Sequence, residues 1–129
     1  MLCADTTFLI DLIRGKPDIK DLLDEFAKKN IFISIGTPSI MELWLGACLI
    51  FSEKEKEKIN EMLKSFEILP LDVHSAKIAG EIECNLEKKG RMIQTEDIMI
   101  AAIAIVHGKK VLTRDKDYAN IDGLRILKY

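Results

Sequence analysis

The segment Thr95–Val106 has the sequence TEDIMIAAIAIV, and it decides the fold class of this chain. The nine residues from Ile98 to Val106 are all apolar, so a helix formed by this segment has no polar face. A helix that is apolar all round is buried in the centre of a protein. The run is too short to cross a bilayer, which takes about 20 residues. The segment therefore predicts a helix at the centre of a globular core.

Short apolar segments alternate with longer helical patterns along the rest of the chain. This alternation is typical of a parallel sheet covered by helices on both faces. Five segments have the length and composition of strands: Leu2–Ala4, Ile31–Ser34, Glu67–Leu69, Lys110–Thr113 and Leu124–Leu127. No linker, repeat or low-complexity tract divides the 129 residues. The sequence predicts one α/β domain over residues 1–129, with a parallel β-sheet of about five strands.

Capping residues predict where several helices begin. Thr37 is predicted as an N-cap with Pro38 at the first helical position. Ser52 is followed three residues later by Glu55, which is the spacing of a capping box. The helix after Thr37 is expected to bury one apolar stripe, formed by Ile40, Leu43, Trp44 and Ala47.

The composition is that of an ordinary globular protein, with 48% hydrophobic and 31% charged residues. No signal-peptide pattern opens the chain, so the cytoplasm is the expected location. The three cysteines, Cys3, Cys48 and Cys84, form no CxxC pair and lie in apolar segments. We expect buried free thiols at these positions rather than a disulfide or a zinc site.

Four acidic residues stand where the pattern passes from strands to helices: Asp5, Glu42, Asp97 and Asp115. In a parallel α/β sheet these junctions lie along one edge, where ligands bind. Like charges at close range repel, so such a cluster requires protonation or bound cations. Carboxylates without His or Cys suit a hard cation such as Mg²⁺ or Mn²⁺. The pattern indicates a metal-dependent phosphodiesterase.

Each acid also has a purely structural explanation. Asp5 is placed to cap the helix that follows it, and Asp115 to cap a short turn. Asp97 lies in a first helical turn, where the helix dipole favours negative charge. Glu42 follows Ser39 by three residues, which is again the spacing of a capping box. For each acid taken alone, a structural role is commoner than a metal-binding role. The positions of the acids are therefore compatible with a metal site but do not require one.

The net charge of −2 neither requires nor excludes a nucleic-acid partner. Because the four candidate acids carry four negative charges, the remainder of the chain carries a net +2. Such a balanced surface can hold a phosphate backbone at a cation-filled pocket, but bulk electrostatics alone would not suffice.

Four sequence blocks resemble those of PIN-domain nucleases, in the same order and over the whole chain. The first is Asp5–Asp11 (DTTFLID), an acid after a strand and then an apolar helix. The second, Ser39–Gly46, places a serine three residues before an acid, and the third, Asp97–Ala104, begins the buried alanine-rich helix. The fourth is Leu112–Tyr118 (LTRDKDY), with Tyr118 where the family more often has Phe. The compact length is most similar to the VapC-type toxins of prokaryotic toxin–antitoxin pairs.

The resemblance implies an endoribonuclease that cleaves single-stranded RNA with Mg²⁺ or Mn²⁺. The implied catalytic and metal-binding residues are Asp5, Glu42, Asp97 and Asp115, with Asp117 as a further, outer metal ligand. Because Mg²⁺ keeps several waters, some of these acids would act through water. Thr113 and Ser39 are candidates for orienting groups or for purely structural roles. A VapC-type toxin also implies a cognate antitoxin as partner, a homodimer and no membrane association.

Other functions make different demands on the sequence. A phosphoacceptor signalling domain requires an acidic pair after the first strand, and Asp5-Thr6 supplies only one acid. A haloacid-dehalogenase phosphatase requires Asp-x-Asp there, and the third position is Thr7. The alternative left open is a PIN-fold RNA-processing nuclease, or an inactive binding module, without an antitoxin. Intact acids argue against the inactive module.

An apolar surface beside the acids is the expected antitoxin site. The run Ala47–Phe51 (ACLIF) stays apolar for longer than one helical stripe requires. Part of it is expected to line a groove near the acids, together with Leu9, Leu12 and Ile13. Exposed contiguous apolar surface usually marks a partner site, and an amphipathic antitoxin helix suits such a groove.

Overall fold

A computed structural model describes all residues of the chain, 1–129. The strands are β1 (Leu2–Ala4), β2 (Ile33–Gly36), β3 (Glu67–Leu69), β4 (Lys110–Thr113) and β5 (Ile126–Lys128). The helices are α1 (Thr6–Ile13), α2 (Pro17–Lys28), α3 (Thr37–Leu49), α4 (Glu53–Leu63), α5 (Val73–Lys88) and α6 (Thr95–Val106), and a 3-10 helix covers Lys116–Asn120. All strands are parallel, in the spatial order β3-β2-β1-β4-β5. The predicted five-stranded α/β fold is confirmed.

Three strands have their predicted bounds, whereas β2 and β5 begin two residues later than predicted. The reason at β2 is the end of α2. The Ile31 N–H donates to the Phe26 carbonyl oxygen at 2.9 Å, and Asn30 has a positive φ of 54°. Ile31 therefore terminates the helix and is not free to pair in the sheet.

The sheet separates two apolar clusters, because alternate strand residues point to opposite faces. Helices α1 to α4 pack on the face that carries Leu2 and Ala4. Helices α5 and α6 pack on the other face, with Cys3 and Val111. In α6, Ile100, Ala101, Ala102, Ile103 and Ala104 are fully buried. The prediction of a central, wholly apolar helix is confirmed.

The predicted cap of α3 is wrong by one residue. Gly36, not Thr37, is the N-cap, and Thr37 is the first helical residue. A Cβ atom at Gly36 would lie only 3.1 Å from Cδ1 of Ile103, so glycine lets α6 approach the end of β2 closely. The Thr37 hydroxyl instead accepts a hydrogen bond from the Leu71 N–H at 3.0 Å. Thr37 therefore ties α3 to the loop after β3.

Helix α3 is rotated relative to the prediction. Leu43 and Ala47 are buried as expected, but Trp44 is exposed, and Lys56 Nζ lies 5.6 Å from its ring centroid.

The expectation for the cysteines also holds only in part. All three are free thiols, and Cys3 is buried, but Cys48 and Cys84 are exposed because they lie on the outer faces of α3 and α5.

The six α-helices are 8 to 16 residues long. None combines the length and the apolar character that crossing a membrane requires.

Candidate active site

Five carboxylates line one pocket of about 210 Å³ at the carboxyl edge of the sheet. They come from the end of β1, the second turn of α3, the first turn of α6 and the segment after β4. The lining consists of Asp5, Thr6, Thr7, Ile10, Glu42, Gln94, Asp97, Asp115 and Asp117. The structure thus brings together all five acids that the sequence analysis proposed.

Asp5 is a helix cap and a pocket residue at once. Its Oδ1 accepts a hydrogen bond from the Phe8 N–H at 2.9 Å, and its Oδ2 accepts one from the Thr113 hydroxyl. The Asp115 N–H in turn donates to Thr113 Oγ1 at 2.9 Å. Burial raises the pKa of Asp5, and the bonds from Thr113 and Phe8 oppose this rise. Thr113 therefore orients Asp5 and joins it to the segment that carries Asp115.

Asp97 is half-buried, and its Oδ1 accepts a hydrogen bond from the Tyr118 hydroxyl at 3.1 Å. Burial, and then the negative charges of Asp115, Glu42 and Asp5, raise the pKa of Asp97 to about 6. The bond from Tyr118 acts in the opposite direction. The charges of the neighbouring acids thus reach Asp97, as expected for carboxylates that share a pocket.

An oxygen atom of Glu42 indicates whether these residues suit a cation. Its Oε2 is buried and has no hydrogen-bond partner in the protein, which is costly for a carboxylate oxygen unless something else satisfies it. No group of three acidic, His or Cys side chains is arranged to bind a metal ion directly. Since Mg²⁺ keeps several waters and uses one or two carboxylates, the donor set fits a hydrated divalent cation.

Asp115 and Asp117 lie at the outer rim of the pocket, and both are exposed. Asp115 Oδ1 accepts a hydrogen bond from the Asp117 N–H at 2.9 Å, so Asp115 caps the 3-10 helix as its structural explanation predicted. The cap keeps the two acids next to each other. The capping roles of Asp5 and Asp115 are therefore compatible with a place in the pocket.

Ser39 does not line the pocket. It is fully buried and accepts a hydrogen bond from the Thr6 hydroxyl at 3.0 Å. This bond ties the start of α1 to the start of α3, and it sets the distance between Asp5 and Glu42. Ser39 is therefore a structural partner of the site.

Sequence reasoning missed four residues of the lining: Thr6, Thr7, Ile10 and Gln94. Gln94 is the N-cap residue of α6, three positions before Asp97, so it lies about one helical turn from this acid. That i, i+3 spacing is the signal that identifies it. Thr7 directly follows Thr6 at the start of α1.

No basic residue lines the pocket. Arg114, next to Asp115 in sequence, is paired with Asp11, its Nη2 lying 3.0 Å from Asp11 Oδ2. Lys16 Nζ lies 2.9 Å from the other oxygen of the same buried carboxylate. The five carboxylates therefore have no basic partner within the lining of the pocket.

An apolar groove of about 290 Å³ adjoins the pocket and shares Glu42 and Ile10 with it. Its remaining lining residues are Ile13, Arg14, Leu43, Gly46, Ala47, Ile50, Glu55 and Ile59. A second groove of about 590 Å³ between α1, α2 and α4 begins at Leu12 and Ile13.

An apolar groove therefore adjoins the acids as predicted, but part of its expected lining is wrong. Leu9 is fully buried in the core, so it cannot line a groove. Leu49 and Phe51 are exposed, but they line neither groove, because the end of α3 turns them away. Ile50 is the exposed residue of the 47–51 run that does.

Known proteins resemble this chain in sequence and in fold. The family model "PIN domain" matches residues 2–124. Ribonuclease VapC1 of Rickettsia felis is 34% identical over 98% of this chain and 94% of its own length. The tRNA(fMet)-specific endonuclease VapC of Salmonella typhimurium is 28% identical over 95% of this chain and 92% of its own.

Among solved structures, VapBC2 from Rickettsia felis bound to a DNA fragment from their promoter superposes with a TM-score of 0.88. The identity is 25%, and the alignment covers 99% of this chain and 98% of that one. The chain therefore belongs to the PIN-domain family, in its VapC-type branch, as indicated by the family match, the full-length relatives and the pocket of five acids.

Proposed function

We propose that this protein is a divalent-metal-dependent endoribonuclease for single-stranded RNA and the toxin of a toxin–antitoxin pair. The observation that carries the proposal is the pocket in which five carboxylates meet without a basic residue. The relatives named as ribonucleases or endonucleases support RNA as the substrate. A pocket of about 210 Å³ admits one phosphodiester of a flexible strand more easily than a rigid duplex.

Some carboxylate oxygens of the pocket accept hydrogen bonds within the protein, whereas others have no partner there. When bound, a divalent cation supplies Lewis-acid stabilisation of the charge that develops on the scissile phosphate. Glu42 Oε2, the Asp97 oxygen that Tyr118 does not contact, and Asp115 are the groups that would hold it. Each oxygen of Asp5 accepts one hydrogen bond within the protein, and because a carboxylate oxygen has two lone pairs, Asp5 would still bring its charge and its remaining lone pairs to the same cation.

The neutral donors of the pocket suit the phosphate oxygens of the substrate. The Thr6 hydroxyl is engaged with Ser39, so Thr7 and Gln94 are the remaining lining side chains that can donate hydrogen bonds. Both lie at helix starts, where backbone N–H groups also favour an anion. These residues would orient the strand while the acids hold the cation.

A cleavage assay tests the activity. We expect the purified protein to cut an end-labelled single-stranded RNA with Mn²⁺ or Mg²⁺, and to leave the same strand intact in a complementary duplex. EDTA is expected to stop cleavage, and added Mn²⁺ to restore it, because the acids need a cation to hold the phosphate. Cleavage that is undiminished in EDTA would contradict the metal dependence, and equal cleavage of the duplex would contradict the strand preference.

The two grooves are the proposed antitoxin site. The chain is also similar to a protein named toxin FitB, from Neisseria gonorrhoeae, with 30% identity over 89% of this chain, which supports an antitoxin partner. The smaller groove is apolar at Ile13, Leu43 and Ile50, and it ends at Glu42 in the pocket. An amphipathic helix with a basic side chain at one end suits this gradient from apolar to acidic. Such a partner would inhibit by neutralising the carboxylates.

We further propose a homodimer formed through the outer face of α3. Met41, Leu45 and Leu49 are exposed at i, i+4 and i+8, with Trp44 beside them. A self-complementary apolar stripe of this kind suits a two-fold contact with a second copy. The exposed stripe is thus the expected subunit interface.

Light scattering over a range of concentrations tests this interface. We expect a dimer for the natural chain and a monomer for Leu45→Glu, because a buried unpaired carboxylate is costly. Met92→Glu is the control, since Met92 is 96% exposed but lies outside α3. A natural chain that stays monomeric throughout, or a Leu45→Glu variant that stays dimeric, would contradict the proposed face.

A further inference from the structure

Tyr118 contacts an acid of the pocket through its hydroxyl. Its side chain is 1% exposed, and the hydroxyl lies 3.1 Å from Asp97 Oδ1. We propose that Tyr118 is a positioning residue that holds Asp97 Oδ1 through its hydroxyl, so that the second carboxylate oxygen is directed to the cation. The inference rests on the proposed function, because it concerns how the same site binds its metal.

The surroundings of Tyr118 make it a rigid support. The ring lies in the apolar cluster between the sheet and α5 and α6, where it cannot change rotamer freely. Its backbone belongs to the 3-10 helix that Asp115 caps. The hydroxyl therefore joins the segment of Asp115 to the first turn of α6, where Asp97 lies.

The hydrogen bond serves both of its partners. A buried tyrosine hydroxyl usually requires a partner, and a bond to a carboxylate is stronger than one between neutral groups. Phenylalanine would fill the same apolar volume but would leave Asp97 Oδ1 without this donor. Tyrosine thus holds the Asp97 carboxylate in one orientation and leaves its other oxygen free for a cation.

The second tyrosine of the chain is a matched control. The sequence has two tyrosines, and the Tyr129 hydroxyl is buried without a hydrogen-bond partner. Tyr129→Phe therefore removes the same atom as Tyr118→Phe but breaks no bond. A difference between the two variants reports on the bond to Asp97 rather than on the loss of a buried hydroxyl.

Mn²⁺ binding to metal-free protein, followed by electron paramagnetic resonance of free Mn²⁺, is the first experiment. We expect Tyr118→Phe to bind Mn²⁺ at least about 10-fold more weakly than the natural chain, the usual cost of removing a partner of a metal ligand. Tyr129→Phe is expected to bind as the natural chain does. Equal affinities in all three proteins would overturn the inference while leaving the metal site intact.

A second experiment uses the natural chain, so it does not depend on how a variant folds. Tyrosine labelled with ¹³C at Cζ gives two resonances, which Tyr129→Phe assigns. Titration with diamagnetic Mg²⁺ is expected to shift the Tyr118 resonance, because the carboxylate it contacts gains a cation, and to leave the Tyr129 resonance in place. Saturation with Mg²⁺ and no shift at Tyr118 would reject the inference.

The two experiments separate this inference from the proposed function. If the natural chain bound neither Mn²⁺ nor Mg²⁺, the metal-dependent function would fail, and the role of Tyr118 would fail with it. If the natural chain bound both ions and Tyr118→Phe bound Mn²⁺ equally well, only the role of Tyr118 would fail.

Discussion

Asp97→Asn is expected to abolish Mn²⁺-dependent RNA cleavage and to stabilise the metal-free protein. Asp97 is half-buried in a pocket with four other carboxylates. Asparagine keeps the size of the side chain but removes the charge that a cation requires. We expect the cleavage rate to fall by more than about 100-fold, since loss of even an outer partner of a metal costs 10–100-fold. Asp5→Asn and Asp115→Asn are also expected to abolish cleavage.

The gain in stability follows from the pKa of Asp97. Folding raises this pKa from an ordinary value of 3.8 to about 6, so between these values the folded state binds more protons than the unfolded state. The free energy of unfolding of the natural chain therefore falls as the pH rises through that window. Because Asp97 is partly exposed, we expect the neutral asparagine to gain only about 1–2 kcal/mol at pH 7.5.

Denaturant unfolding in EDTA at several pH values between 4 and 8 measures this effect. The free energy of unfolding of the natural chain should fall as the pH rises to about 6, and Asp97→Asn should lack this fall. Asp24→Asn is the matched control, because Asp24 is an exposed acid of α2 outside the pocket, and this change should alter neither cleavage nor stability. If Asp97→Asn were less stable than the natural chain and bound Mn²⁺ normally, Asp97 would be a structural residue of α6.

Ile50→Glu is expected to release the enzyme from its antitoxin without loss of nuclease activity. Ile50 is exposed and lines the groove that adjoins the pocket, but it does not line the pocket itself. A carboxylate there would be buried against an apolar partner helix. We expect the complex to weaken by about 2 kcal/mol or more, roughly 30-fold, as for the central residues of an interface.

Titration of the nuclease with its cognate antitoxin measures the release as a shift in the half-inhibiting concentration. Phe32→Glu is the control, because Phe32 is also exposed but precedes β2, at the opposite edge of the sheet from the pocket. Equal inhibition of the Ile50→Glu variant and the natural chain would place the antitoxin outside this groove. The same result with weaker inhibition of Phe32→Glu would place it at the amino edge.

Much of the fold could be predicted from local patterns. The apolar run of α6, three strands with their bounds and the cap at Ser52 depend on residues that are close in sequence. The positions of the five acids at strand ends and helix starts follow from the same patterns. Parallel topology then brings these ends to one edge, which is why the pocket residues were predicted before their contacts were known.

Other features depended on contacts between distant segments. Trp44 was predicted to be buried and is exposed, because the face that α3 turns to the core is set by its packing on the sheet, α4 and α6. Leu9 was expected in a groove and lies in the core for a similar reason. Helical periodicity identifies an apolar stripe, but α1 and α3 have more apolar residues than one face can bury.

By itself, the sequence determined the α/β class, the central helix and the identity of the acids, since these follow from periodicity and from residue chemistry. Only the tertiary structure decided which oxygen atoms are engaged and which are free. The bond from Thr113 to Asp5 joins residues 108 positions apart, and the bond from Tyr118 to Asp97 joins two different helices. Whether such bonds form depends on the positions of their atoms to within a few tenths of an ångström. These positions are set by the packing of the whole domain.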